Sequence, residues 1–156
     1  MKVLVCAEAR QNQLDRMFFE LVTAARSVAD SGEVVALWIG ADEKAARDQM
    51  GSADRVLVAT DPRFVSATTD TYATVLHRAI EVEKPDLTII GYTAAGMDFG
   101  PEAATRAGLP MAANVVALQR NGNGVSIHSQ DLRRQDERSP PSIWPRPRHG
   151  QPRRLR

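Results

Sequence analysis

The sequence has a single cysteine, Cys6, among its 156 residues. That excludes an internal disulfide and any cysteine-rich metal site, and it fits a reducing compartment. Long apolar runs are also missing. After Lys2 only the five residues "VLVCA" are consecutively apolar before acids and arginine arrive, too short for a signal-peptide core or a membrane span. The expectation is a soluble, cytoplasmic protein with no membrane partner. Neither "GxxxxGK[ST]" nor "GxGxxG" occurs. His77, His128 and His149 have no metal-ligand spacing, and no Ser or Cys has a recognisable base nearby, so the residues support neither zinc nor nucleophilic catalysis. No catalytic residue and no metal site is expected.

Basic charge is scarce too, except at one end. Residues 1–130 carry 12 basic and 16 acidic side chains, a balance of −4, whereas residues 131–156 carry eight Arg, no Lys and three acids, a balance of +5. Five of the nine prolines lie in that last stretch, and its only aliphatics are Leu132, Ile143 and Leu155. So little apolar surface cannot offset the entropy of ordering 26 residues, and the segment is expected to be disordered. A nucleic-acid-binding arm is the lesser reading: arginine suits phosphate contact, but only Trp144 offers a stacking platform.

The chain length suits one domain with a real core. Up to about residue 119, short apolar runs alternate with segments of helical period. The runs span 2–7, 33–40, 54–60, 85–92 and 111–119. They are nearly continuous in Val, Ile, Leu and Ala, as strands are when both sheet faces are covered. Between them, 14–30 recurs at three and four through Leu14, Met17, Phe18, Leu21, Val22, Ala25 and Val28. A shorter helix runs from an Asp42 cap towards Gly51, another ends before Pro85, and a last one, 98–108, has Pro101 near its first turn. Repeated strand–helix alternation predicts an α/β fold: three αβα layers around a mostly parallel sheet of nucleotide-binding type.

Such a sheet places its functional loops at the carboxyl ends of the strands. The loop "GYTAAGMDFG" (91–100) is the most suggestive, because Gly91 and Gly96 permit close backbone approach, Thr93 offers a hydroxyl, and helix-opening N–H groups follow. With no Lys or Arg in it, a plain strand-to-helix turn is the favoured reading. Ala7 and Glu8, after the first strand, join Gly91, Thr93 and Gly96 as candidate nucleotide-contacting positions. "TDPRF" (60–64) reads as a turn capped by Asp61 and fixed by Pro62, and Cys6 as a buried small hydrophobe.

In order and spacing, "ELVTAAR", "GSADRVLV", "EKPDLTIIG" and "GMDFGPEAA" (Gly96 to Ala104) resemble the N-terminal domain of electron transfer flavoprotein α subunits, over residues 2–127. The resemblance implies an adenine nucleotide alpha hydrolase-like domain that packs against a β subunit. It also implies an assembly in which FAD carries electrons from flavin dehydrogenases, with the FAD held mainly by a separate C-terminal domain. It brings no catalytic or FAD-binding residue to this stretch. The sequence departs from the family at Met97, where arginine is frequent. The rival expectation is a stand-alone adenine-nucleotide-binding module.

Family members continue from this point towards a "YGG" segment. "DLRRQDER" (131–138) can be encoded as GAT CTA CGG CGG CAA GAT GAA CGC, which read one base later gives "IYGGKMNA". Lysine-free, Arg- and Pro-rich sequence is also what GC-rich DNA yields out of frame. The division expected is therefore a folded domain over 1–130 and an out-of-frame segment over 131–156, the shift lying between Ser129 and Asp131.

Overall fold

A computed structural model describes residues 1–10, 13–122 and 124–130 and the backbone of 142–143. The disorder expected for 131–156, together with Trp144 and His149, falls outside the described residues, Ser142 and Ile143 excepted.

Four strands form the central parallel sheet: β1 (Val3–Cys6), β4 (Val34–Gly40), β5 (Arg55–Thr60) and β6 (Leu87–Ile90), in the order β5-β4-β1-β6. Every residue of β1 and β4 is buried. The register explains their unbroken apolar character. Val3 and Val5 of β1, with Val34, Ala36 and Trp38 of β4, face α1 (Met17–Ala29) and α2 (Glu43–Gln49). Leu4, Cys6, Val35, Leu37 and Ile39 point the other way, onto α3 (Thr69–Glu83) and α4 (Ala94–Arg106). Alternate side chains thus meet two separate helical layers, and neither face is left for polar residues.

Local signals set the helix ends. Asp42 accepts from the N–H groups of Lys44 and Ala45 to start α2, satisfying donors the helix itself leaves open. Thr68 caps α3 in the same way, and α3 ends at Lys84, which takes a left-handed conformation (φ 47°) directly before Pro85. Asp61 caps a short 3-10 turn, Pro62–Ser66, in agreement with the turn read from "TDPRF".

Three expectations are corrected. Leu14 lies in β3 (Gln13–Leu14), which pairs antiparallel with β2 (Ala9–Arg10), so α1 begins only at Met17. Helix α4 starts at Ala94 under a Thr93 cap, four residues earlier than expected, which puts Pro101 inside the helix. The loop 91–100 is therefore mostly helix. Third, the run 111–119 does not join the parallel sheet. From Val115 the chain forms β7 (Val115–Asn121), which turns back as a hairpin into β8 (Gly124–Ser129), and the backbone of β9 (Ser142–Ile143) pairs on β8's other side. The physical reason lies in "NGNG" (121–124): Gly122 has φ +54°, and the two-residue loop it opens suits a tight antiparallel turn. Val125, with Leu118 and Ile127, packs the hairpin onto the α1 side of the core.

Candidate functional site

Along the chain the sheet is built outwards from β1 through β4 to β5, then returns to place β6 on β1's opposite side. Between the carboxyl ends of β1 and β6 the direction of winding reverses, and ligands of open α/β sheets bind at such a point. The structure brings all five candidate residues there. Ala7 and Glu8 follow β1; Gly91 and Thr93 follow β6; Gly96 lies in the first turn of α4.

The contacts among them close the site. Thr93 Oγ1 donates to Glu8 Oε1 at 2.6 Å and accepts from the Gly96 N–H at 2.9 Å. One hydroxyl therefore caps α4 and ties the two strand ends together. The Gly96 N–H is consumed by Thr93 Oγ1 and the Met97 N–H by the Thr93 carbonyl at 2.9 Å. Of the open first-turn amides of α4, that of Gly96 is thus taken by the cap. Ala7 is 1% exposed and extends the ladder, its N–H bonding Leu37 O at 2.9 Å. A Cβ on Gly91 would lie 2.8 Å from Met17 Sδ, and one on Gly96 only 2.0 Å from the Gly91 carbonyl oxygen.

The segment after β1 covers what remains. The Asp15 N–H returns to Glu8 O at 3.0 Å, and the Leu14 N–H reaches Gln49 Oε1 at 2.9 Å. From the α3 side, the Tyr72 hydroxyl donates to Ala9 O at 3.2 Å while its ring stacks on Phe99 with centroids 5.2 Å apart. A cavity of about 10 Å³ is left, lined chiefly by Cys6, Glu8, Asp15, Met17, Gly91 and Thr93. That is room for one water molecule. Burial, with the nearby Glu8 charge adding to it, pushes the Cys6 thiol pKa far up, so the sulfur is a neutral packing group.

Sequence reasoning placed Met17 on the apolar face of its helix and missed that Met17 and Tyr72 help close this end of the sheet. The available signal was the Tyr72 hydroxyl, since a tyrosine on a buried face needs a polar partner. The other polar residues singled out lie elsewhere. Asp61 is held by Arg63 at 2.7 Å, and His77 stands 4.0 Å from Glu81 on α3. His128 is exposed on β8. Among the described residues no cluster of His, Cys, Asp or Glu is arranged to hold a metal ion, and no helix is long and apolar enough to cross a membrane.

Residues 3–130 match the Electron transfer flavoprotein domain family. The chain belongs to the electron transfer flavoprotein family. It is 33% identical over 126 residues to the electron transfer flavoprotein subunit alpha of Bacillus subtilis, covering 80% of this chain and 39% of that protein. Over 108 residues it is 34% identical to the acryloyl-CoA reductase electron transfer subunit beta of Anaerotignum propionicum, covering 67% of this chain and 29% of the relative. The electron transfer flavoprotein subunit alpha of Clostridium acetobutylicum is 30% identical over 134 residues, 83% of this chain and 38% of its own length. The chain thus spans about two fifths or less of these relatives. A flavin dinucleotide does not fit the switch point in this family member. The space left there is room for no more than one water, and the Gly96 amide is taken by the Thr93 cap.

Proposed function

We propose that residues 1–130 are the N-terminal scaffold domain of an electron transfer flavoprotein α subunit, working in the cytoplasm. It packs against a β subunit in an assembly whose FAD carries electrons from flavin dehydrogenases. The observation that carries this reading is the family match over residues 3–130, nearly the whole described chain. The closed switch point supports a scaffold role, with no FAD-contacting and no catalytic residue in this stretch. Glu8, Thr93 and Gly96 spend their polar groups on one another. By this reading they hold two strands and a helix in fixed relation.

The rival, a stand-alone adenine-nucleotide module, draws on the same location at the winding reversal, and one experiment separates the two. The chain is co-expressed with an electron transfer flavoprotein β subunit and purified through either partner, and the free chain is titrated with AMP and FAD by calorimetry. Co-purification with no heat from either nucleotide is expected. Stoichiometric FAD on the free chain, or submillimolar AMP binding without a β subunit, overturns the scaffold reading.

The same reading takes 131–156 as an out-of-frame segment. The change of composition at Asp131 falls where the family match ends, at residue 130. DNA sequence across codons 128–135 tests it. A shifted frame that is closed, or that encodes no FAD-binding domain, removes this part of the proposal.

A further inference from the structure

At the β5 edge of the sheet, Leu57 and Ala59 stand in register with Leu37 and Ile39 of β4 and face the α3 side. Both are only half-buried, because α3 lies over β1 and β4 and leaves a groove of about 380 Å³ between itself and β5. Its walls are apolar: Leu37, Leu57 and Ala59 from the sheet, and Val75, Ala79 and Val82 from α3. Val82 is 59% exposed, although it projects beside apolar surface that could bury it. Apolar surface gathered in this way gains free energy when something removes it from water.

The charges at the groove say what fits it. Arg78 borders the groove and donates from Nη1 to Glu81 Oε2 at 3.0 Å, the two side chains being 73% and 49% exposed. A pair so exposed adds little to its own helix and can exchange partners. His77 also stands 4.0 Å from Glu81. A partner bearing charge of one sign meets a like charge here. One cation and one anion a turn apart on the same helix instead complement a second copy, because in a two-fold contact each residue meets the counterpart of the other. Helix α3 has 15 residues, roughly 22 Å of length for such a contact. Run antiparallel about the midpoint of Arg78 and Ala79, two copies set Val75 of one against Val82 of the other. Each Val82 then enters the other copy's groove. The two Arg78 side chains approach the axis, each within a turn of both Glu81 carboxylates.

We propose that α3 and the groove beside β5 form a self-complementary docking surface, and that its occupant is α3 of a second copy of this chain, held by Val82 in the groove and by Arg78–Glu81 pairs between copies. The surface is built from described residues alone and does not depend on the family reading.

Sedimentation equilibrium on the full chain tests it, with the charge reversals R78E and E81R, the double reversal R78E/E81R, and V82E. The expected result is a monomer–dimer equilibrium that R78E, E81R and V82E each weaken at least about tenfold, while R78E/E81R returns to within about threefold of the unaltered chain. The reversals also act on the pair within each helix, and urea midpoints report that local effect separately. Only a contact between copies makes the dissociation constant recover in the double reversal. A chain monomeric up to about 1 mM, a dimer that the single reversals leave unchanged, or a double reversal no tighter than the singles overturns the proposal. So does a chain that is monomeric alone and loses co-purification with an electron transfer flavoprotein β subunit through V82E, because the groove then belongs to that partner.

Discussion

Gly96 sits so close under Gly91 that a Cβ on Gly96 would stand 2.0 Å from the Gly91 carbonyl oxygen and 3.3 Å from Ile90 Cγ2. The first atom is backbone at the end of β6, with no rotamer to move aside. Helix α4 can lie across β6 at this distance only because residue 96 has no side chain.

Gly96→Ala is therefore expected to cost about 2–3 kcal/mol, the upper range for overpacking against atoms that cannot yield. Gly51 provides the control. Nothing lies within 4 Å of a Cβ placed there, and its φ is not in the left-handed range. Gly51→Ala should be neutral or stabilise by about 0.5 kcal/mol, by restricting the unfolded chain. Urea midpoints of the two variants check the contrast, and equal losses would refute this account of Gly96.

At the opposite end of the sheet, charges set the acid response. Arg55 donates to both oxygens of Glu83, at 2.9 and 2.5 Å, and Lys2 Nζ reaches the same carboxylate at 3.2 Å. The Arg55 hydrogen bonds, helped by Lys2, hold the Glu83 pKa down at about 2, against an ordinary 4.5. The Glu83 side chain is 8% exposed but that of Arg55 is 43% exposed, so solvent partly screens the pair. With its folded pKa depressed, Glu83 contributes stability that is complete above about pH 4.5 and lost as pH falls towards 2. Glu83→Gln should be less stable than the unaltered chain near neutrality and lose less on acidification. Parallel slopes of urea midpoint against pH would show that Glu83 is not the group responsible.

How much of this was legible in advance depended on distance along the chain. The two-sided burial of β1 and β4 was readable because Val3–Cys6 and Val34–Ile39 contain no polar residue. The Asp42 cap was readable because its partners lie two and three residues away. The start of α4 was not: Gly96 reads as a loop residue, and what requires glycine there is the Gly91 carbonyl on another element. The placement of β7 was likewise hidden. Val115–Leu118 is as apolar as a central strand, and only the Gly122 turn and packing against α1 turn it away from the parallel sheet. At the candidate site the right residues were found for an incomplete reason. Their glycines and hydroxyl mark close approach, but the approach is between protein segments, and Met17 and Tyr72 arrive from helices whose sequence shows only an apolar face.

Cys6 gives a direct reading of global opening. Its thiol is 1% exposed between β4 and β6, and burial raises its pKa well above the ordinary thiol range. Only a thiolate reacts quickly, so a disulfide reagent should leave the folded protein unlabelled on the mixing timescale and follow the unfolding rate as urea is added. Immediate labelling of the folded chain would mean that the end of the sheet opens locally.

Besides the packing of Leu118, Val125 and Ile127, one side chain that joins two backbone ends ties the hairpin to α1. Arg120 on β7 donates from Nη1 to Val28 O at 3.0 Å and from Nε to Gly122 O at 2.9 Å. Val28 is in the last turn of α1, where carbonyls lack intrahelical partners and the helix dipole favours a cation. A planar guanidinium can reach a helix end and a hairpin turn together, whereas an ammonium places its donors around a single point. Arg120→Met, which keeps the apolar stem over α1, should therefore lower stability by about 1–2 kcal/mol. Arg120→Lys should recover part of that loss through charge alone. Hydrogen exchange would show the effect concentrated in 115–129, with the four-stranded sheet unaffected. If Arg120→Met were neutral, the packing of Leu118, Val125 and Ile127 on α1 would have to hold the hairpin in place by itself.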